Sequence, residues 1–314
     1  MQQRLIATIA PIATIALTLG ACSSAQEQDH NTIKVAASTN VWGGVVDGIV
    51  DDPNVQVETI IEGGAVDPHT FEPSAADMAK INEADLVVVN GGGYDAWAYQ
   101  GIDDQKKIIS AMPLDEGHDH GDHEDHGDHD AHEEHEAHEE HDGHEHHHHG
   151  GVNEHIWYDV HVVEHVAEEI NKRLKEAGAT TDPEPFMKDL ESLHQQVHKL
   201  PKKRVAQTEP IADYLIEASD LEEVTPKGYR QATLNESEPS AADVAAFLEA
   251  INSGEVEVLV YNPQTENEMT KQLRKAAEDK DIPVVEIRET PEQGEGYIDF
   301  LSKAVDGLAN ATKN

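Results

Sequence analysis

The residues with the most evident chemistry are histidines crowded into the middle of the chain. Residues 115–150 hold fourteen of them: His118, His120, His123, His126, His129, His132, His135, His138, His141, His144, His146, His147, His148 and His149. The same stretch carries 15 acidic residues and neither Lys nor Arg. Imidazoles and carboxylates are the donors that zinc-like divalent ions take. From His120 to His144 a histidine falls at every third position, which matches no face of a 3.6-residue helix. Hardly an apolar residue is present to offset the entropy of ordering. The tract therefore reads as a disordered, low-complexity loop that captures metal at weak, interchangeable sites.

Four further residues of ligand type stand at informative places. His69 lies in "GGAVDPHTFEPS", at a glycine-opened turn after a strand pattern. His155 lies in "NEHIWYD", directly after the histidine tract. Glu209 ends the strand-like run of "VAQTEPIADYL", and Glu289 sits at the strand tip of "IPVVEIRET". Ligands in open α/β sheets gather beyond the carboxyl ends of strands, and all four positions fit that rule. Taken singly, each is more readily a turn residue or a solvated carboxylate. His161 with His165, and His194 with His198, are spaced i, i+4 on helical stretches, a spacing that can chelate. Both pairs lie off the apolar stripes and read as solvated faces.

Elements that could position these residues follow from the periodicity. "TIKVAAS" and "VQVETIIEGG" read as strands, with "VWGGVVDGIV" at helical spacing between them. "SAADMAKINEADLVVVNGGG" reads as a helix with a Ser74/Asp77 capping box, then a buried strand, then a glycine turn. This alternation predicts an α/β fold with parallel strands. "EPSAADMAKINEADLVVVN" (72–90) parallels "EPSAADVAAFLEAINSGEVEVLVYN" (238–262), both running cap, helix, strand, Asn. Two explanations stand open: convergence on a good helix start, or two lobes of similar topology. Between the halves, Val160, Val163, Val166, Ile170 and Leu174 share one helical face that ends at Gly178. Phe186, Leu190, Leu193, Val197 and Leu200 form a second stripe, opened by Pro183 or Pro185 and stopped by Pro201. A helix of about 16 residues spans roughly 24 Å, enough for a stiff strut between two lobes.

The net charge of −41 argues against nucleic acid as a partner. Arg4 followed by an apolar stretch from Leu5 to Leu19 is too short for a membrane span and reads as a signal peptide. Leu19-Gly20-Ala21-Cys22 resembles a lipobox, which implies that Cys22, the single cysteine of the chain, carries a lipid. One lipidated residue on a polar linker makes a tethered protein rather than a spanning one.

At this point the motifs add up. "DPHTFEPSAADM", "ADLVVVNGGGYDAW", "EHIWYDV", "TEPIADYL", "PSAADV", "VLVYNPQTE" and "IPVVEIRET" occur in the order seen in one family. From about Ile33 to its end the chain resembles the metal-binding lipoproteins of bacterial ABC importers for zinc and manganese. The resemblance implies two α/β lobes joined by a rigid linking helix, with the metal in the cleft between them. After the signal peptide over 1–22 and a polar tether over 23–32 read from the N-terminal residues, it implies an N-terminal lobe over 33–182, the linking helix over 183–202 and a C-terminal lobe over 203–314. Its four ligand positions map onto His69, His155, Glu209 and Glu289. Zinc members often carry a His-rich acidic loop just before the second ligand, where this chain has one. They often have histidine where Glu209 stands and aspartate where Glu289 stands, so these two positions leave the choice of metal open.

The expected function is an extracytoplasmic zinc-binding protein, monomeric and held at the outer face of the bacterial membrane by its lipid, that serves an ABC importer permease. Mn2+ is the alternative cargo to Zn2+, since carboxylates suit manganese and imidazoles suit zinc. A zinc hydrolase, which would need an open ligand position and a nearby base, is the second class. A metal buffer or adhesin acting through the loop is the third class.

Overall fold

The computed structural model describes residues 32–63, 71–114 and 153–313. His69, the histidine tract and Cys22 lie outside the described residues, as do the signal peptide and most of the tether. Residues 32–314 form one compact unit.

Two four-stranded parallel sheets organise it. The first contains β1 (Ile33–Thr39), β2 (Val55–Ile61), β3 (Leu86–Val89) and β4 (Ile108–Ser110), in the order β2-β1-β3-β4. The second contains β5 (Arg204–Gln207), β6 (Glu222–Glu223), β7 (Val258–Tyr261) and β8 (Val284–Glu286), in the order β6-β5-β7-β8. The two orders are the same pattern, first strand beside second and third, so each sheet has a switch point between its first and third strands. The repeated stretch occupies the same place in both. Helix α2 (Ala75–Glu83) leads into β3, and helix α8 (Ala241–Ser253) leads into β7. Ser74 and Ser240 cap them with full capping boxes to Asp77 and Asp243. Of the two explanations for the repeat, lobes of similar topology is the one the fold bears out.

Buried parallel strands face apolar layers on both sides. In β3, Leu86 and Val88 point into one buried cluster, and Val87 and Val89 into another. In β7, Val258 and Val260 point into the first of these clusters and Leu259 into a third, equally buried one. The inner cluster is shared by both lobes. It is filled by α1 (Asn40–Asp47), α4 (Val160–Glu176), α5 (Glu184–Val197) and α10 (Tyr297–Ala311). The stripes expected on α4 and α5 are buried throughout, and Gly178, at φ +93°, closes the end of α4.

Beyond α5, helix α10 also links the lobes. It packs on α5 and β8 and reaches α1, where a Cβ on Gly44 would collide with Tyr297. The Tyr297 hydroxyl donates to the Trp157 carbonyl at 2.7 Å, and the Tyr158 hydroxyl donates to the Arg288 carbonyl at 2.6 Å. Asn40 donates to the Pro291 carbonyl at 2.8 Å. Among the described residues no helix is long and apolar enough to cross a membrane.

Candidate metal centre

His155, Glu209 and Glu289 each place a ligand atom within 4.8 Å of the others. They come from three separate parts of the chain. Glu209 follows β5 by two residues, and Glu289 follows β8 by three. These two obey the strand-end rule. His155 does not stand on a strand tip: it opens a 3-10 turn, Ile156–Tyr158, that feeds α4 through the Asp159 cap. That turn is buried apolar surface, with Ile156, Trp157 and Tyr158 all inside, so packing rather than a sheet fixes the position of His155. His155 and Glu289 are buried, at 1% and 0% exposure, and Glu209 is partly exposed.

The orientation of the imidazole is determined by its neighbours. Asn153 Nδ2 donates to the Pro210 carbonyl at 2.7 Å and to Asp213 Oδ2 at 2.9 Å, which fixes the amide so that its Oδ1 faces His155. Asn153 Oδ1 lies 2.8 Å from His155 Nδ1, so that nitrogen carries the proton and Nε2 carries the lone pair. Asp213 is itself held by the Arg230 guanidinium in a two-pronged pair at 2.8 Å each and by Gln207 at 2.6 Å. A chain of contacts thus runs from Arg230 through Asp213 and Asn153 to the ring.

The carboxylates are held together by one amide. Asn262, directly after β7, donates from Nδ2 to Glu209 Oε2 at 2.6 Å and to Glu289 Oε1 at 2.8 Å. Its Oδ1 accepts from the Gln264 backbone at 2.9 Å, which settles which end of the amide faces the acids. Thr265 adds a hydroxyl to Glu209 Oε2 at 2.7 Å. Gln264 Oε1 accepts from the backbone of Glu289 and of Thr290, at 2.8 and 3.2 Å, and so sets the loop after β8. Two carboxylates meeting in a mostly buried place repel each other, and one neutral amide offsets only part of that. A divalent cation would complete the balance, with a neutral imidazole as third donor.

Of the four expected ligands, three are brought together, and His69 lies outside the described residues. Asn153, Asn262, Gln264 and Thr265 were not among them, although "NEH" and "YNPQTE" contain all four. Their signal was position: a polar residue immediately after a buried strand, or two before a ligand. The fold also corrects one surface expectation. His165 is exposed, with 82% of its side chain accessible, but His194 retains only 12% and packs between two other histidines. Its apparent position off the stripe hid this, because the start of α4 covers it.

Comparison with known proteins bears on the family and the fold. The family described as zinc-uptake complex component A, periplasmic, matches residues 35–311. The zinc-binding lipoprotein AdcA of Streptococcus pneumoniae is 24% identical over 325 residues, covering 95% of this chain and 59% of its own length. The chain therefore spans less than two thirds of that relative. The manganese-binding lipoprotein MntA of Halalkalibacterium halodurans is 24% identical over 201 residues, 60% of this chain and 56% of its own. The structure of the periplasmic zinc-binding protein TroA from Treponema pallidum matches with a TM-score of 0.63 at 16% identity, covering 90% of this chain and 100% of that one. At that identity the likeness is one of fold.

Proposed function

The chain belongs to the zinc-uptake complex component A family, and on that premise we propose that it is the extracytoplasmic binding protein of an ABC-type importer, capturing Zn2+ in its cleft and delivering it to the permease. The family is a transport component and not an enzyme. The observation that carries the reading is the convergence of His155, Glu209 and Glu289, with both carboxylates bridged by Asn262. His69 is the fourth ligand of this proposal. Two imidazoles and two carboxylates neutralise a divalent ion and close a tetrahedral site, with no position left for an activated water. Such a site carries metal rather than using it.

The histidine tract supports zinc over manganese, because imidazole strings favour zinc. It acts as an accessory that raises the local metal concentration six residues from His155. Cys22 anchors the protein by a lipid to the outer face of the membrane, and the protein works as a monomer. A manganese cargo is the second reading. It is favoured by the two carboxylates among the three described ligands and by the manganese-binding relative.

Metal analysis of untagged protein, followed by competition between Zn2+ and Mn2+, tests both. One equivalent of zinc that persists against excess manganese is the expected result. Displacement of zinc by equimolar manganese would replace zinc by manganese as cargo. Failure to hold either ion tightly would end the proposal.

A further inference from the structure

Away from the cleft, a second group of donors has assembled without any role in the site above. His161 occupies the first turn of α4, where the Asp159 carboxylate accepts its backbone N–H at 2.9 Å. His194 lies in the last turn of α5, and His198 caps that helix. The ring centroids of His161 and His194 are 4.5 Å apart, and those of His194 and His198 are 4.4 Å apart. His194 is the middle member, largely buried, while His161 and His198 are exposed. The three rings border an open cavity of about 250 Å³ that Tyr214 and Glu217 also line.

We propose that His161, His194 and His198 form a second metal site, distinct from the cleft, that takes Zn2+ in preference to Mn2+. Three neutral nitrogen donors suit a borderline ion such as zinc and offer manganese nothing that it prefers. With Zn–N bonds of about 2.0–2.1 Å, neighbouring imidazole centroids on one tetrahedral ion lie roughly 5 Å apart. The two separations from His194 are within about half an ångström of that spacing, so the site forms if the exposed His161 and His198 side chains turn their nitrogens toward the ion that His194 holds. The backbone positions are already fixed, His194 and His198 by one helix and His161 by the cap of another. Three protein ligands leave the fourth position to water on the open side.

The surroundings fit. Glu164 Oε2 lies 3.9 Å from His161 Nδ1, and Glu191 Oε2 lies 3.9 Å from His194 Nδ1. At that distance neither carboxylate is hydrogen-bonded to the ring, and each contributes negative charge beside it. A bound ion would join the start of α4, where His161 stands six residues after His155, to the end of α5.

The test uses the full-length chain and the variant H161Q/H198Q, whose two substitutions lie at exposed positions and leave the fold intact. Crystals of each are soaked in ZnCl2 and measured for anomalous scattering at the zinc edge. In solution, thermal unfolding of each is followed while zinc is added beyond the first equivalent. The expected result is an anomalous peak among the three rings in the parent and none there in the variant. The metal-free proteins should melt together, and zinc beyond one equivalent should raise the Tm of the parent by roughly 2–4 °C more than that of the variant. Absence of the peak in parent crystals whose cleft is filled would overturn the proposal, as would equal thermal responses. A manganese soak that fills the same three-histidine position equally well would overturn the assigned preference.

Discussion

At the scale of single residues, the cleft depends as much on the groups that orient the ligands as on the ligands themselves. Asn262 gives both amide protons to the two carboxylates at once. Asn262→Leu therefore leaves Glu209 and Glu289 facing each other with no shared donor. Its zinc affinity should fall about 10–100-fold, the range measured for groups that hold metal ligands in place. His155→Ala removes a donor outright and should cost more than Asn262→Leu. Chelator competition, which reports the tight site above the background of weak histidine sites, measures both. Equal affinity in Asn262→Leu and the parent would mean that the amide only packs.

At the scale of elements, the two lobes use the same devices, and their energetics should match. Ser74 and Ser240 each accept from the backbone N–H of the third residue of their helices, at 3.2 and 3.3 Å, while the Asp there reaches back to the serine N–H. Ser74→Ala and Ser240→Ala should each cost about 1 kcal/mol in urea unfolding. A second element-level device is the turn after β3, where Gly91, Gly92 and Gly93 all have positive φ. A Cβ on Gly91 would collide with Ser110 and the Met112 carbonyl. Asp95 closes this turn by accepting the N–H groups of Asn90 and Gly91 at 2.6 and 2.9 Å. Burial nevertheless pushes its carboxyl up to about 6. Between about pH 4, where the unfolded carboxyl titrates, and about pH 6, the folded state binds the extra proton. Stability contributed by Asp95 therefore falls as pH rises through that window, by at most about 3 kcal/mol. Asp95→Asn lacks this slope, so the parent should lose stability relative to the variant between pH 4 and 6. Parallel curves from denaturant titrations across that range would show that the two backbone donors keep Asp95 ionised.

At the scale of the whole molecule, one buried cluster runs through both lobes, and α5 and α10 brace them together. Metal held as proposed, between β5, β8 and the turn before α4, would therefore stabilise a single cooperative body. Zinc at about 1,000 times its dissociation constant should add about 4 kcal/mol to unfolding. Deleting residues 115–150 should leave that gain nearly unchanged while removing the weaker sites seen by calorimetry. Loss of the tight site on deletion would mean that the tract is itself the site.

Much of this protein is determined by its sequence alone. Apolar periodicity and capping residues are local properties, so α4, α5 and the repeated helix–strand units could be read before any fold was known. The ordered motifs were dense enough to imply the family and four candidate ligands, of which the fold gathers the three that lie among the described residues. What only the tertiary structure decided are contacts between distant parts of the chain. The tautomer of His155 is set by Asn153, whose amide is fixed by residues about 60 positions away. The pairing of Glu209 with Glu289 runs through Asn262, 53 and 27 positions from them. His194 read as solvated because helical spacing describes one helix at a time. Burial of its ring comes from the start of α4, 33 residues earlier, and no pattern within α5 carries that information.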